Sequence, residues 1–321
     1  MSVAGPLNGQ LWGVTTHFNP AGFGVKLRNL ELFAKRVREQ GLKLLIVELA
    51  FERNPFQVPR ECADRVLQVR SNSVLWQKER MLNIALDQLP EECEKVAWLD
   101  GDILFTNDSW VGEASRLLEE YRVVQLYQSA AWLPRGVIDT CLDCAKNDSV
   151  LHQKLGVAFA KRCFQGNSGV ILRPELVHPG FAWAARRSIL RSHSLYDKCI
   201  VGGGDFYTML GMYRDSKALA EPNVGRYLCR KQLIDLAAWT DKFHSDVASD
   251  VAFTPGSVLH LWHGSLLNRS YVERCEILRE FDFDPATDIT LNDEGCWEWS
   301  SDKPELHRRV REYFASRKED D

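Results

Sequence analysis

A mainly parallel α/β sheet covered by helices is the fold this sequence predicts, and three observations predict it. From residue 11 onward, apolar β-forming segments alternate with amphipathic helical ones. The first two helical segments end at Gly41 and Pro90, residues that stop helices. Thr15, Glu48 and Asp100 fall at the ends of expected strands, where parallel sheets bind their ligands.

Leu11–His17 alternates and carries β-branched residues, a first strand, and Asn19-Pro20-Ala21-Gly22 is turn chemistry. Leu27–Gln40 places Leu27, Leu30, Phe33, Ala34 and Val37 at helical spacing. Leu42–Phe51 reads as a buried strand and Val66–Val69 as a shorter one. Ser73–Leu89 is expected to be a helix, and the strand bearing Asp100 follows it. Tyr121–Tyr127 and Gly166–Leu172 are expected strands, while Phe181–Leu190 and Asp205–Arg214 are expected helices. Trp132–Leu151 lacks periodicity and reads as a loop. A strand toward His260 and a final helix over Pro304–Arg317 complete the pattern, with Lys318–Asp321 expected to be disordered.

At 321 residues the chain is long enough to bury a substantial core. Its 45 % hydrophobic and 26 % charged content is that of a soluble globular protein. The net charge of −4 argues against broad nucleic-acid binding. The clusters Arg186/Arg187/Arg191 and Arg226/Arg230/Lys231 leave room for a local basic groove. No apolar run reaches the roughly 20 residues that span a bilayer. Nor does the start resemble a secretory leader, so a cytoplasmic location is expected. Nine cysteines are scattered, and Cys141-x-x-Cys144 has no second pair at ligand spacing, so reduced thiols are expected rather than zinc.

The densest chemistry lies in Lys95–Phe105, KVAWLDGDILF. An apolar run ends in Asp100 and Asp102, and side chains at i and i+2 of an extended chain point the same way. Two hard oxygen donors at that spacing suit Mg²⁺ or Mn²⁺, whose usual cargo is a phosphate group. A polar turn between strands is the plain alternative. Three more clusters accompany it: QGNSGVILRP at Gln165–Pro174, VGGGDFY at Val201–Tyr207, and LHLWHG at Leu259–Gly264.

In this order the elements resemble metal-dependent nucleotide-sugar glycosyltransferases of the GT-A fold. Gln77–Phe105 is similar to the helix and Asp-x-Asp strand of β-1,4-galactosyltransferases and polypeptide N-acetylgalactosaminyltransferases, with Lys78, Arg80 and Asn83 at its polar positions. Asn167–Pro174 resembles the family's acceptor-side strand, the glycines before Asp205 its Gly-Gly-Glu-Asp segment, and LHLWHG its metal-histidine segment. The family's acidic pair is here Gly204 followed by Asp205 alone. The resemblance implies a Rossmann-like GT-A domain over residues 1–265, with 266–321 as an extension packed on it. It also implies a UDP-hexose or related nucleoside diphosphate sugar as donor and Mn²⁺ or Mg²⁺ as cofactor.

On that reading Asp102 is the direct metal ligand, and Asp100 contacts ribose or reaches the ion through water. One histidine completes the site. His263 is favoured over His260 because Gly264 lets its loop approach phosphates; strand alternation puts the two histidines on opposite faces, of which only one can reach the ion. Asp205, after the glycines and at a helix start, is the general base of an inverting transfer, with an N-cap as its alternative role. Thr15, Thr16, Glu48, Lys78, Arg80, Gly203 and Gly204 are the further nucleotide-contact candidates. Trp183 and Trp262 are candidates to stack on a sugar, and Asn268, Arg269 and Tyr271 to form a loop over the donor. A haloacid-dehalogenase-type phosphatase also uses Asp-x-Asp, but Leu104 stands where that pattern has Thr or Val. A sugar-nucleotide pyrophosphorylase and a sugar-binding module are further alternatives. The acceptor stays open among a glycan, a lipid-linked glycan, a small molecule, a protein and a hydroxymethylated base in DNA.

Overall fold

The computed structural model describes residues 7–137, 150–165, 167, 169–221 and 224–321. Cys141, Cys144 and most of the expected 132–151 loop lie outside the described residues. The first half runs β1 (Trp12–Phe18), α1 (Gly24–Glu39), β2 (Lys43–Phe51), β3 (Arg65–Ser71), α2 (Lys78–Asp87), β4 (Lys95–Leu99) and β5 (Ile103–Phe105). Next come α3 (Trp110–Glu120), β6 (Val123–Gln125), β7 (Ser129–Trp132), β8 (His152–Gly156), α4 (Val157–Cys163), β9 (Val177–His178), β10 (Ala182–Arg186) and α5 (Arg187–His193). The chain closes with α6 (Gly204–Tyr213), α7 (Arg230–Val247), β11 (Val251–Phe253), β12 (Ser257–His260), α8 (Glu273–Glu280), β13 (Ile289–Leu291), β14 (Trp297–Trp299) and α9 (Pro304–Ser316).

Among the described residues, β11-β6-β10-β4-β1-β2-β3 form the central sheet in that order. Its pairs are parallel except where β10 runs antiparallel between β4 and β6. The inner strands β2, β4 and β10 are buried on both faces, which is why β2 reads as an apolar run broken only by Glu48 after its first residue. A second sheet, β5-β12-β7-β8-β9, meets the first where β4 hands over to β5. There His260 on β12 pairs with Ile103 on β5. The apolar run of Lys95–Phe105 is therefore two strands in two sheets, with Asp100-Gly101-Asp102 at the crease.

Three expected elements are corrected. Phe181–Leu190 is a strand, β10, followed by the short α5. Ala182, Trp183, Ala184 and Ala185 are buried on both faces of the central sheet, so no polar period separates strand from helix. Val170–Leu172, expected in a strand, forms a 3-10 turn. The helix expected from Ser73 begins only at Lys78, because Ser73 and Gln77 are bonded to the β14 strand.

The region after 265 joins the main core: Phe283, Ile289, Cys296, Leu306, Val310 and Phe314 lie in one apolar cluster with Leu75, Leu82 and Trp98. Residues 318–321, expected to be disordered, are anchored, with Glu319 only 2 % exposed. The cysteines among the described residues are free thiols. No helix among them is long and apolar enough to cross a membrane.

Of the basic clusters, Arg187 is structural. Its guanidinium donates to the carbonyls of Leu86 (2.6 Å), in the last turn of α2, and of Leu89 (3.1 Å), Pro90 (2.5 Å) and Cys93 (3.2 Å) in the segment after it. Replacing Arg187→Met keeps the apolar stem and removes all four donations, with Pro90 O keeping its bond from Cys93 N. We expect a loss of about 2–4 kcal/mol in urea unfolding, and a loss within the error of that measurement would contradict the capping role.

Candidate functional site

The crease sends its two carboxylates apart. Asp100 and Asp102 were expected to point the same way, as in an extended chain, but Gly101 and Asp102 form a turn. Asp102 faces two histidines: its Oδ2 lies 3.0 Å from His263 Nε2 and 3.8 Å from His260 Nε2. The two imidazoles approach each other at 3.1 Å through the same Nε2 atoms. Both histidines therefore reach the site, contrary to the expectation that alternation admits one. The strand β12 ends at His260, and the chain turns while Leu261 N donates to Asp102 O at 2.8 Å, which swings His263 back.

The polar contacts of this cluster are in conflict. Arg269 Nη2, which can only donate, lies 2.8 Å from His263 Nε2 and calls for a lone pair there. Asp102 Oδ2, which can only accept, calls for a proton on the same atom. Asp102 Oδ1 is buried with no hydrogen-bond partner among the described residues. Burial works to raise the Asp102 carboxyl, but both histidines and Arg269 hold it well below the usual carboxylate range. Burial keeps His260 neutral by pushing it well below its ordinary value. An ionised carboxylate and two imidazoles, with ligand atoms within 4.8 Å of one another, form a donor set for a borderline divalent cation.

Asp100 turns the other way, to Lys78 Nζ at 3.0 Å. The same ammonium donates to both oxygens of Asp205, at 2.8 and 2.7 Å. Asp205 stands in the first turn of α6, after Gly202 and Gly203 in the left-handed region at φ 93° and 100°. Gly204 has no room for a side chain, since a Cβ would overlap the Glu79 carboxyl. Burial opposes the charge on Lys78, but Asp100, Asp205 and Glu79 hold its proton on well above the ordinary range. One cation does not satisfy three carboxyls. Burial, with the charges of Asp205 and Asp102, pushes Asp100 up to about 6 against Lys78. Burial likewise drives Glu79 to about 8, so it is mainly protonated at neutral pH.

Asp102, His260, His263, Lys78, Asp100 and Asp205 line one cavity of about 990 Å³, along with Thr16, His178, Gly203, Arg269, Tyr271 and Arg274, while Glu79 and Gly204 lie outside its lining. His178 stacks on Phe181 at 4.0 Å, and burial pushes its imidazole down to about 3. Phe181 holds a strained φ of 75°, and its carbonyl accepts from Asp100 N at 2.7 Å.

Other candidates fall outside the cavity. Glu48 is 2 % exposed and accepts from Gln57 N, Val58 N and Gln68 Nε2, so it ties down a loop instead of meeting a ribose. Thr15 is fully buried and donates to Leu99 O at 2.7 Å. Arg80 pairs with Asp197 at 3.1 Å. Trp183 stacks on Trp98 in the core. His260 as a partner equal to His263, Glu79 beneath the glycines, and Glu319 beside His263 were not anticipated. The only sequence signal for His260 was its place in LHLWHG.

No known protein family matches the sequence, and no curated protein matches it. Several solved structures are similar. The catalytic domain of Drosophila beta1,4-galactosyltransferase 7, in complex with xylobiose, is 11 % identical with a TM-score of 0.41, covering 93 % of this chain and 98 % of that one. Residues 1–349 of S. aureus TarS are 13 % identical with a TM-score of 0.37, covering 74 % of this chain and 72 % of that one. The 4-diphosphocytidyl-2C-methyl-D-erythritol synthase of Anaerococcus prevotii is 12 % identical with a TM-score of 0.35, covering 77 % and 87 % respectively. A β-1,4-galactosyltransferase thus stands among the structures this chain is similar to. Likeness this loose carries no argument about chemistry.

The protonated Glu79 has a measurable consequence. Its pKa lies at about 8 in the folded state against an ordinary 4.5, so the folded protein holds a proton that the unfolded chain releases. That stabilisation is complete below the lower value and is lost as pH rises through the upper one. Wild-type urea stability should fall as pH rises from about 4.5 to about 8 and level off above that, and Glu79→Gln should flatten the slope. Equal slopes in the two proteins would contradict it.

Proposed function

We propose that this protein is a divalent-cation-dependent glycosyltransferase. It moves a hexose from a nucleoside diphosphate sugar, UDP-hexose by resemblance, to an acceptor hydroxyl with inversion. One observation carries the reading: Asp102, His260 and His263 converge on one wall of a cavity that also holds Asp205 clamped by Lys78. The contested Nε2 of His263 and the partnerless Asp102 Oδ1 are what a cation between these groups would resolve. Mn²⁺ accepts such a mixed oxygen and nitrogen set. When bound, the ion supplies positive charge beside the diphosphate leaving group.

The chain's own residues do the rest. Asp205 accepts the proton of the acceptor hydroxyl as its oxygen bonds to the anomeric carbon and the bond to the diphosphate breaks. Lys78 fixes the direction of Asp205 through two hydrogen bonds. Asp100 shares that ammonium and so prevents it from belonging wholly to Asp205. The neutral Glu79 beneath Gly204 adds bulk but little charge. Gly203 brings bare backbone to the cavity wall, where a sugar can approach closely. Arg269, at the cavity wall, offers a second cation to a phosphate.

The test is hydrolysis and transfer with a panel of nucleoside diphosphate sugars and Mn²⁺. Slow donor hydrolysis that chelation abolishes is expected. Release of inorganic phosphate from monoesters instead would favour the phosphatase alternative. Asp102→Asn should lower metal-dependent kcat/KM about a hundredfold or more while leaving the far-UV spectrum unchanged. Asp205→Asn should keep the donor KM and lower the transfer kcat by about 10²–10⁴. Near-normal transfer by that variant would refute the base assignment.

A further inference from the structure

Residues 317–320 fold back against the cation-site loop. Asp320 accepts from Gly24 N (2.9 Å) and Val25 N (2.8 Å), the first N–H groups of α1, where a negative charge meets the positive end of the helix. Its backbone carbonyl accepts from Arg135 Nη2 at 2.8 Å. Gly264 makes the passage possible. Its φ is 83°, and a Cβ there would come within 2.8 Å of Glu319 Cα.

Asp320 alone would anchor this segment, so the buried carboxylate beside it calls for a separate account. Glu319 is 2 % exposed and sits between two cations, one close to it in sequence and one from α1. Arg317 Nε donates to it at 2.6 Å, and Lys26 Nζ lies 3.5 Å from its Oε2. Burying a charge costs several kcal/mol, roughly, unless its surroundings replace water. Here they do so at a position facing the site: Glu319 Oε1 lies 3.6 Å from Nδ1 of His263, across the ring from the Nε2 that meets Asp102.

An imidazole that gives one nitrogen to a cation carries its proton on the other, and that N–H is oriented by an acceptor behind it. We propose that Glu319 is the positioning residue of the cation site, holding the His263 ring proton at Nδ1 so that the Nε2 lone pair faces Asp102 and His260. This rests on the cation reading given above. Arg317, Lys26 and Asp320 hold Glu319 in place, which makes residues 317–320 part of the working site.

The test uses Mn²⁺ as probe, titrated into the full chain with and without saturating UDP, with free Mn²⁺ read by electron paramagnetic resonance. Glu319→Gln, nearly the same size, should weaken Mn²⁺ binding by about 10- to 100-fold. Asp320→Asn, which loosens the anchor but leaves the Glu319 carboxylate, should weaken it much less. Near-ultraviolet circular dichroism of each metal-free variant reports whether the fold survives. Wild-type affinity in Glu319→Gln, or equal losses in the two variants, would overturn the positioning role. Asp102→Asn separates the two readings. If it loses Mn²⁺ while Glu319→Gln does not, only the present inference fails. If it binds Mn²⁺ normally, or the wild type binds none, the cation site itself fails.

Discussion

The crease at Asp100-Gly101-Asp102 is the constraint on which the rest of the site depends. Strand β4 delivers it from the central sheet, and β5 carries the chain into a second sheet whose next strand bears His260. Because the turn falls between the two carboxylates, one faces the imidazole pair and the other faces Lys78. A continuous strand would have sent both the same way. The handover between sheets thus divides one short motif into two electrostatic centres sharing a cavity.

Those centres are opposite in character. Around Asp102 the basic groups outnumber the acid, which keeps that carboxylate ionised despite burial. Around Lys78 burial, helped by the charge of neighbouring acids, leaves a proton on Glu79 and pushes Asp100 toward one against the pull of Lys78. A site that must hold a cation at one wall and accept a proton at the other gains from such separation, because each carboxyl's surroundings set its protonation state. The low dielectric that makes these pairs strong also makes each unmatched group costly, and Asp102 Oδ1 is such a group at the cavity wall among the described residues.

Much of the fold was legible because the first half obeys simple periodicity: β1, α1, β2, β3 and β4 fall where their apolar patterns place them. Strand β10 was missed because a strand buried on both faces has no polar side to mark its period. The motif bearing Asp102 was visible, as were Asp205 and His263, since each sits beside glycine in a short polar break. Direction was not visible. Nothing local in LHLWHG says that the strand stops at His260 and lets both imidazoles converge. Glu48 and Thr15 looked available at strand ends, yet their partners come from a loop and a neighbouring strand. Glu319, in a charged run that reads as solvated, is buried by Lys26 and His263, residues remote in sequence.

The central claim is that Asp102, His260 and His263 together hold a cation against a nucleoside diphosphate. Crystals grown with UDP and Mn²⁺, measured at a wavelength where manganese scatters anomalously, test it most directly. The account predicts one anomalous peak bonded to Asp102 and both imidazoles, with the diphosphate beside it. A bound nucleotide with no peak at those three residues, or a peak elsewhere in the cavity, would contradict it.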